Sequence, residues 1–209
     1  ANFIENNEIK INNFWHPILN DKKIVTNSIT LNKTKNRINI ITGPNSGGKS
    51  IIIKTILINI LLSQTLTFAP CKNIDINPFQ LIESYISIPD IVGHKSLFEA
   101  EIFRIKQFLS KLEVLKNDKK IKKNNSLIVI DELFNSTNYD EGLLASTTIL
   151  ELLNKKYPNN ITLITTHYHK LASILDTKEN VENYCVKYDE NKNVFTYKLC
   201  NGIINKKWL

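Results

Sequence analysis

Residues 43–50 read Gly-Pro-Asn-Ser-Gly-Gly-Lys-Ser: a glycine, four residues, then Gly-Lys-Ser. Backbone N–H groups in such a turn approach a phosphate closely, and a helix starting there adds its positive N-terminal dipole. In that chemistry Gly43, Pro44, Asn45, Ser46, Gly47 and Gly48 form a cradle, Lys49 reaches the β- and γ-phosphates, and Ser50 holds Mg²⁺. A second group is Asp131-Glu132, two carboxylates closing the apolar run Leu127-Ile128-Val129-Ile130. Asp131 suits Mg²⁺ through water, together with Ser50, and Glu132 suits orienting and polarising an attacking water. A third is His167, directly after Ile161–Thr166, placed to sense a γ-phosphate. Each has a plainer reading: a chance glycine turn, a helix-cap carboxyl pair, a structural histidine.

The flanking elements decide between these readings. The strand Arg37–Thr42 enters the glycine turn, and an apolar stretch from Ser50 to Leu66 leaves it as a helix. Strand, glycine turn, helix is the context of P-loop NTPases. The run before Asp131 shows no alternation, as expected of a strand buried on both faces of a parallel sheet. In such a sheet the strand ends converge on one edge, where open α/β sheets bind ligands. The expected fold is therefore α/β: a P-loop NTPase core over 37–209, with a mainly parallel sheet flanked by helices. Residues 1–36 form a β-rich lead-in with peripheral strands at Glu8–Ile11 and Lys22–Val25.

Other elements follow from pattern. Phe68–Cys71 is a turn and Leu81–Ile86 a strand, with a loop punctuated by Pro89 and Gly93. Ser96 caps a helix that keeps apolar spacing to about Leu115, with Glu99 at the third position of a capping box. Residues 116–125 form a basic loop, better read as solvated surface than as a DNA contact. Helices Glu141–Lys156 and Tyr168–Leu175 flank the strand Ile161–Thr166, and Val181–Tyr188 with Val194–Leu199 reads as a hairpin.

The chain has 209 residues, enough for one large domain. A net charge of +7 suits nucleic acid, although crowding with Ile, Asn and Lys weakens that inference. Cys71, Cys185 and Cys200 are odd in number and lack paired ligand spacing, which points to a reducing, intracellular setting and away from zinc. The run Ile51–Leu62 is broken by Lys54 and Asn59, so a buried helix is expected rather than a membrane span. The start at Ala1 and the lack of methionine suggest a piece of a longer protein.

Five motifs in order resemble the MutS family of DNA mismatch-repair ATPases. Ile41–Ser50 is similar to its phosphate loop, and His16-Pro17 to the His-Pro before its nucleotide site. Ser96-Leu97-Phe98-Glu99-Ala100-Glu101 resembles its Ser-Thr-Phe-x-x-Glu signature. Asp131-Glu132-Leu133 with Thr137 and Gly142 follows its Walker B strand and loop, and Thr166–Leu171 its Thr-His-Tyr-x-x-Leu. The resemblance spans about residues 16–202. It implies an ABC-like ATPase using ATP and Mg²⁺, working as a homo- or heterodimer through the ATPase face. It also implies that Ser96 meets the partner's γ-phosphate in trans, and that Asn45 orders phosphate and water. DNA would be contacted mainly by other parts of the parent protein.

There are departures. The family often stacks an aromatic on adenine at a position matching Ile24, which implies weaker base affinity here. The signature Thr is Leu97, and Phe134-Asn135-Ser136 stands where Gly-Arg-Gly is usual. The leading expectation is an ATP hydrolase domain driving a DNA clamp in mismatch repair or recombination. Alternatives are another ABC-type ATPase of DNA repair or transport, or a nucleotide-switched module with little turnover.

Overall fold

The computed structural model describes residues 1–19, 24–44, 47–86, 97–120, 124–189, 191 and 194–203. Alternating burial builds the first strands. β2 (Glu8–Phe14) follows β1 (Asn2–Phe3) and buries Ile9, Ile11 and Phe14, and β3 (Asn27–Asn32) buries Asn27, Ile29 and Leu31. β2 and β3 pair antiparallel, with a register shift between Ile11 and Phe14 that brings Phe14 inward. β5 (Asn73–Ile76) joins the other edge of β2 and β1 lies parallel to β5, giving the four-stranded order β1-β5-β2-β3.

The expected strand over Lys22–Val25 is corrected: Ile24 and Val25 lie outside any strand, and Lys22 and Lys23 fall outside the described residues. The pairing segment starts at Asn27, where only Ile29 and Leu31 supply apolar alternation among Asn, Ser and Thr. β5 is likewise short: Ile74 and Ile76 alternate with Asn73 and Asp75 over only 4 residues, too brief a run to mark a strand by pattern.

The larger sheet has six strands, ordered β10-β9-β4-β8-β7-β6. Its members are β4 (Ile38–Thr42), β6 (Leu81–Tyr85), β7 (Ser126–Asp131), β8 (Asn160–Thr166), β9 (Val181–Asp189) and β10 (Val194–Asn201). β9-β4, β4-β8, β8-β7 and β7-β6 pair parallel, and β10-β9 pairs antiparallel. β7 has both faces covered: Leu127 and Val129 join one core, Ile128 and Ile130 the other. The first core holds α1 (Lys49–Leu66) and the inward residues of the small sheet. The second holds α2 (Leu97–Asn117), α3 (Tyr139–Lys156) and α4 (His169–Leu175). The architecture is thus α/β, with two sheets and four helices among the described residues.

α1 is long and apolar enough to cross a membrane by length and composition alone. It nevertheless packs Ile52, Ile53, Ile56 and Ile60 into the first core, the behaviour of a sheet-covering helix. α3 starts two residues before the expected Glu141, because the Asn138 side chain accepts from Glu141 N at 2.9 Å and caps it. α2 runs to Asn117, into the expected basic loop. Its expected cap, Ser96, lies outside the described residues, as do the loop positions Pro89 and Gly93. Cys185 and Cys200, distant in sequence, are directly opposed on β9 and β10 as free thiols, Sγ atoms 3.0 Å apart.

Candidate functional site

β4, β8 and β7 are parallel neighbours, so Thr42, Thr166 and Asp131 end at the same edge of the sheet. The turn after β4 brings Gly43 and Pro44 to that edge. Gly48 then takes φ 83° and ψ 16°, left-handed backbone that favours glycine. A Cβ there would also meet Tyr197 Cδ1 at 2.6 Å, so two constraints demand glycine. α1 begins at Lys49 with no side-chain cap and no acidic residue in its first turn. Its first N–H groups lack intrahelical partners and, with the helix dipole, favour an anion near them.

Lys49 is 2% exposed. Its Nζ donates to Pro44 O at 3.1 Å and lies 3.6 Å from Glu132 Oε1. Burial lowers its pKa, and the nearby carboxylates of Glu132 and Asp131 oppose that. Ser50 Oγ donates to Asp131 Oδ1 at 2.9 Å, and Thr165 Oγ1 donates to the same oxygen at 2.5 Å. Among the described residues no cluster of three or more His, Cys, Asp or Glu could hold a metal. Ser50 and Asp131 offer two hard oxygens, the set Mg²⁺ uses when phosphates and water complete its shell. The donor set therefore fits that ion.

Glu132 sits at φ 58° and Phe134 at φ 56°, left-handed conformations costing about 1–2 kcal/mol each in residues with a Cβ. Surrounding bonds hold them. Glu132 N donates to both Thr165 O and Thr165 Oγ1 at 3.2 Å, and the buried Tyr168 hydroxyl donates to Phe134 O at 2.6 Å. Gly142 makes room for that tyrosine, since a Cβ there would lie 2.1 Å from the hydroxyl. The strained turn places the Glu132 carboxylate beside Lys49. His167 Nδ1 lies 3.7 Å from Oε2, a close neighbour beyond hydrogen-bond length. His167 is the main influence holding the Glu132 carboxyl below its ordinary range; burial opposes it and Lys49 adds to it.

Beside Gly48 lies a cleft of about 270 Å³ lined by Trp15, His16, Ile24, Asn27, Ile51 and Tyr197, among others. Its walls are mainly apolar and aromatic, as in small-molecule sites. Tyr197 stands at φ 58° in a β10 irregularity. Asn27 pins that irregularity, donating to Tyr197 O at 3.0 Å and accepting from Leu199 N at 2.8 Å.

The structure thus brings Lys49, Ser50, Asp131, Glu132 and His167 together at one sheet edge, with Gly43, Pro44, Gly47 and Gly48 in the turn that delivers Lys49 and Ser50. Ile24, 50% exposed, lines the adjoining cleft. Asn45, Ser46 and Ser96 fall outside the described residues. Sequence reasoning overlooked Thr165 and Tyr197. A hydroxyl doublet, Thr165-Thr166, at an apolar strand end was a usable signal for the first; nothing near Tyr197 marks the second.

A family model described as MutS domain V matches residues 39–208. The chain is 31% identical over 206 residues to the DNA mismatch repair protein MutS of Clostridium perfringens, covering 95% of this chain and 22% of that protein. It is 30% identical over 209 residues to the DNA mismatch repair protein MSH3 of Candida albicans, covering 92% and 19%. The chain spans about a fifth of the length of the curated relatives it matches.

Proposed function

From a chain that belongs to the MutS family, through its domain V, we propose an ATP-binding and ATP-hydrolysing domain that drives a dimeric DNA clamp in mismatch repair or recombination. The observation that carries this reading is the shared edge where Ser50 bonds Asp131 while Lys49 and His167 flank Glu132. We read the fold as a P-loop, ABC-like ATPase core. Gly43 to Gly48, including Asn45 and Ser46, cradle the phosphates. The cleft beside Gly48, with Ile24 on its wall, takes the base.

Phosphate would replace Glu132 as the main partner of the Lys49 ammonium. Glu132, released from that pairing but still beside His167, is then an ionised acceptor able to orient a water and take its proton. Asp131 and Ser50 would hold Mg²⁺, which would offset charge on the phosphate oxygens. Thr165 keeps Asp131 and the Glu132 backbone in register.

Phosphate release by the full chain, with ATP and Mg²⁺, tests the reading. Glu132→Gln should retain ATP binding while hydrolysis slows by about 10²-fold or more. A wild-type chain that binds ATP without turnover would instead favour the nucleotide-switched module. Ser96 is assigned to a partner's γ-phosphate, with the dimer closing through the ATPase face and DNA held mainly by other parts of the parent protein. Mixing Ser96→Ala with Lys49→Ala chains should then restore part of the activity each lacks alone. No recovery in confirmed mixed dimers would rule out action in trans.

A further inference from the structure

We propose that Glu101 is a positioning residue for hydrolysis, holding from α2 the loop that carries Glu132, a role that rests on the ATPase reading above. Glu101 is 2% exposed. It heads the buried stripe of α2, followed by Ile105, Phe108, Leu112 and Leu115. That stripe is apolar by rule, and a carboxylate in it is disfavoured unless both oxygens are hydrogen-bonded. Both are. Oε1 accepts from the Tyr85 hydroxyl, at the end of β6, at 2.8 Å. Oε2 accepts from the Ser136 hydroxyl.

Ser136 lies four residues beyond Glu132, in the same turn as the left-handed Glu132 and Phe134. Tyr168 grips that turn at Phe134 O, and Glu101 grips it at Ser136. Conformations of this kind persist only where several contacts over-determine them. Losing the Ser136 contact lets the turn relax, and the Glu132 carboxylate moves with it. A hydrophobic residue at 101 would serve α2 packing as well, so what the carboxylate adds is the link from α2 and β6 to the turn. Through that link a displacement of α2 would reach Glu132 without touching nucleotide.

The test uses the full chain with Glu101→Leu, Glu101→Gln and Ser136→Ala. Leu fills the stripe without accepting a hydrogen bond, and Gln restores an acceptor. Ser136 is exposed, so losing its hydroxyl leaves the core closed. Glu101→Leu should lower kcat for ATP about tenfold or more with KM within about twofold, as expected when a reacting group is misplaced slightly. Glu101→Gln should recover most of kcat. Ser136→Ala should fall in the same direction, and the Leu/Ala double variant should be little worse than the worse single, because both cut one link. Amide exchange should rise across 132–137 while α2 and β7 stay protected. Wild-type kcat in Glu101→Leu, additive losses, or loss of protection throughout α2 with KM rising alongside would each overturn the proposal. Faster exchange in the turn of a chain whose wild type hydrolyses no ATP would uphold the clamp and overturn the ATPase reading.

Discussion

On the ATPase reading, the candidate site has a proposed phosphate half and a proposed base half, built on opposite principles. The phosphate half is over-determined. Lys49 is buried between Pro44 O and Glu132, Asp131 receives two hydroxyls, and the turn of the two strained residues is bonded by Thr165, Tyr168 and Glu101. The base half is an apolar cleft with exposed walls: Ile24 is 50% and Tyr197 49% exposed. In the first, a misplaced charge changes chemistry. In the second, apolar contact and ring stacking can shift gradually with little loss.

The sharpest way to break this comparison is to remove charge from the phosphate half. Lys49→Ala should weaken ATP binding about 10- to 100-fold, the worth of charge-assisted bonds to phosphate. Equilibrium binding of a fluorescent ATP analogue measures it, and a loss under about threefold would mean the buried ammonium serves folding alone. A smaller effect is expected from pH. Glu132 has its pKa lowered from an ordinary 4.5, so its charged form, and any stability it lends, persists above that value and is lost only as pH falls through the lower folded pKa. The acid limb of kcat should accordingly lie below about 4.5. His167→Ala removes the largest lowering influence and leaves burial to push upward, so the limb should move to higher pH. A limb that stays in place would assign it to another group.

The contrast between the halves also explains what could be read from the chain. The phosphate half is built from locally contiguous motifs: one glycine turn, one carboxylate pair and one histidine, each at the end of an apolar run, and parallel register brings those ends together. The base half is assembled from Trp15, Ile24, Ile51 and Tyr197, which share no local pattern. Tyr197 reaches the cleft through an irregularity in β10 pinned by Asn27, some 170 residues away, and neither signal is visible locally. The small sheet was half legible for a related reason. β2, β3 and β5 each alternate only two isoleucine or leucine positions with polar residues, Ile9 and Ile11, Ile29 and Leu31, Ile74 and Ile76, and so short a run is a weak signal.

The finest test lies in the base half itself. If its tolerance is real, adding an aromatic there should help without disturbing the phosphate half. Ile24 is exposed and outside any strand, so Phe at that position breaks no ladder bond and displaces no core residue. A ring facing a bound base would gain about 0.5–1.5 kcal/mol from stacking, which is roughly a 2- to 10-fold tighter complex. The gain should appear with ATP and with adenosine alike, since neither the Lys49 ammonium nor the Asp131 carboxylate is involved, and kcat should hold steady. Tyr197→Ala should shift both affinities the other way by a similar factor, with Tyr197→Phe close to wild type because the ring supplies the contact. If Ile24→Phe leaves adenosine affinity unchanged while Tyr197→Ala lowers kcat, the cleft is no base site, and Tyr197 instead serves the glycine turn through its packing on Gly48.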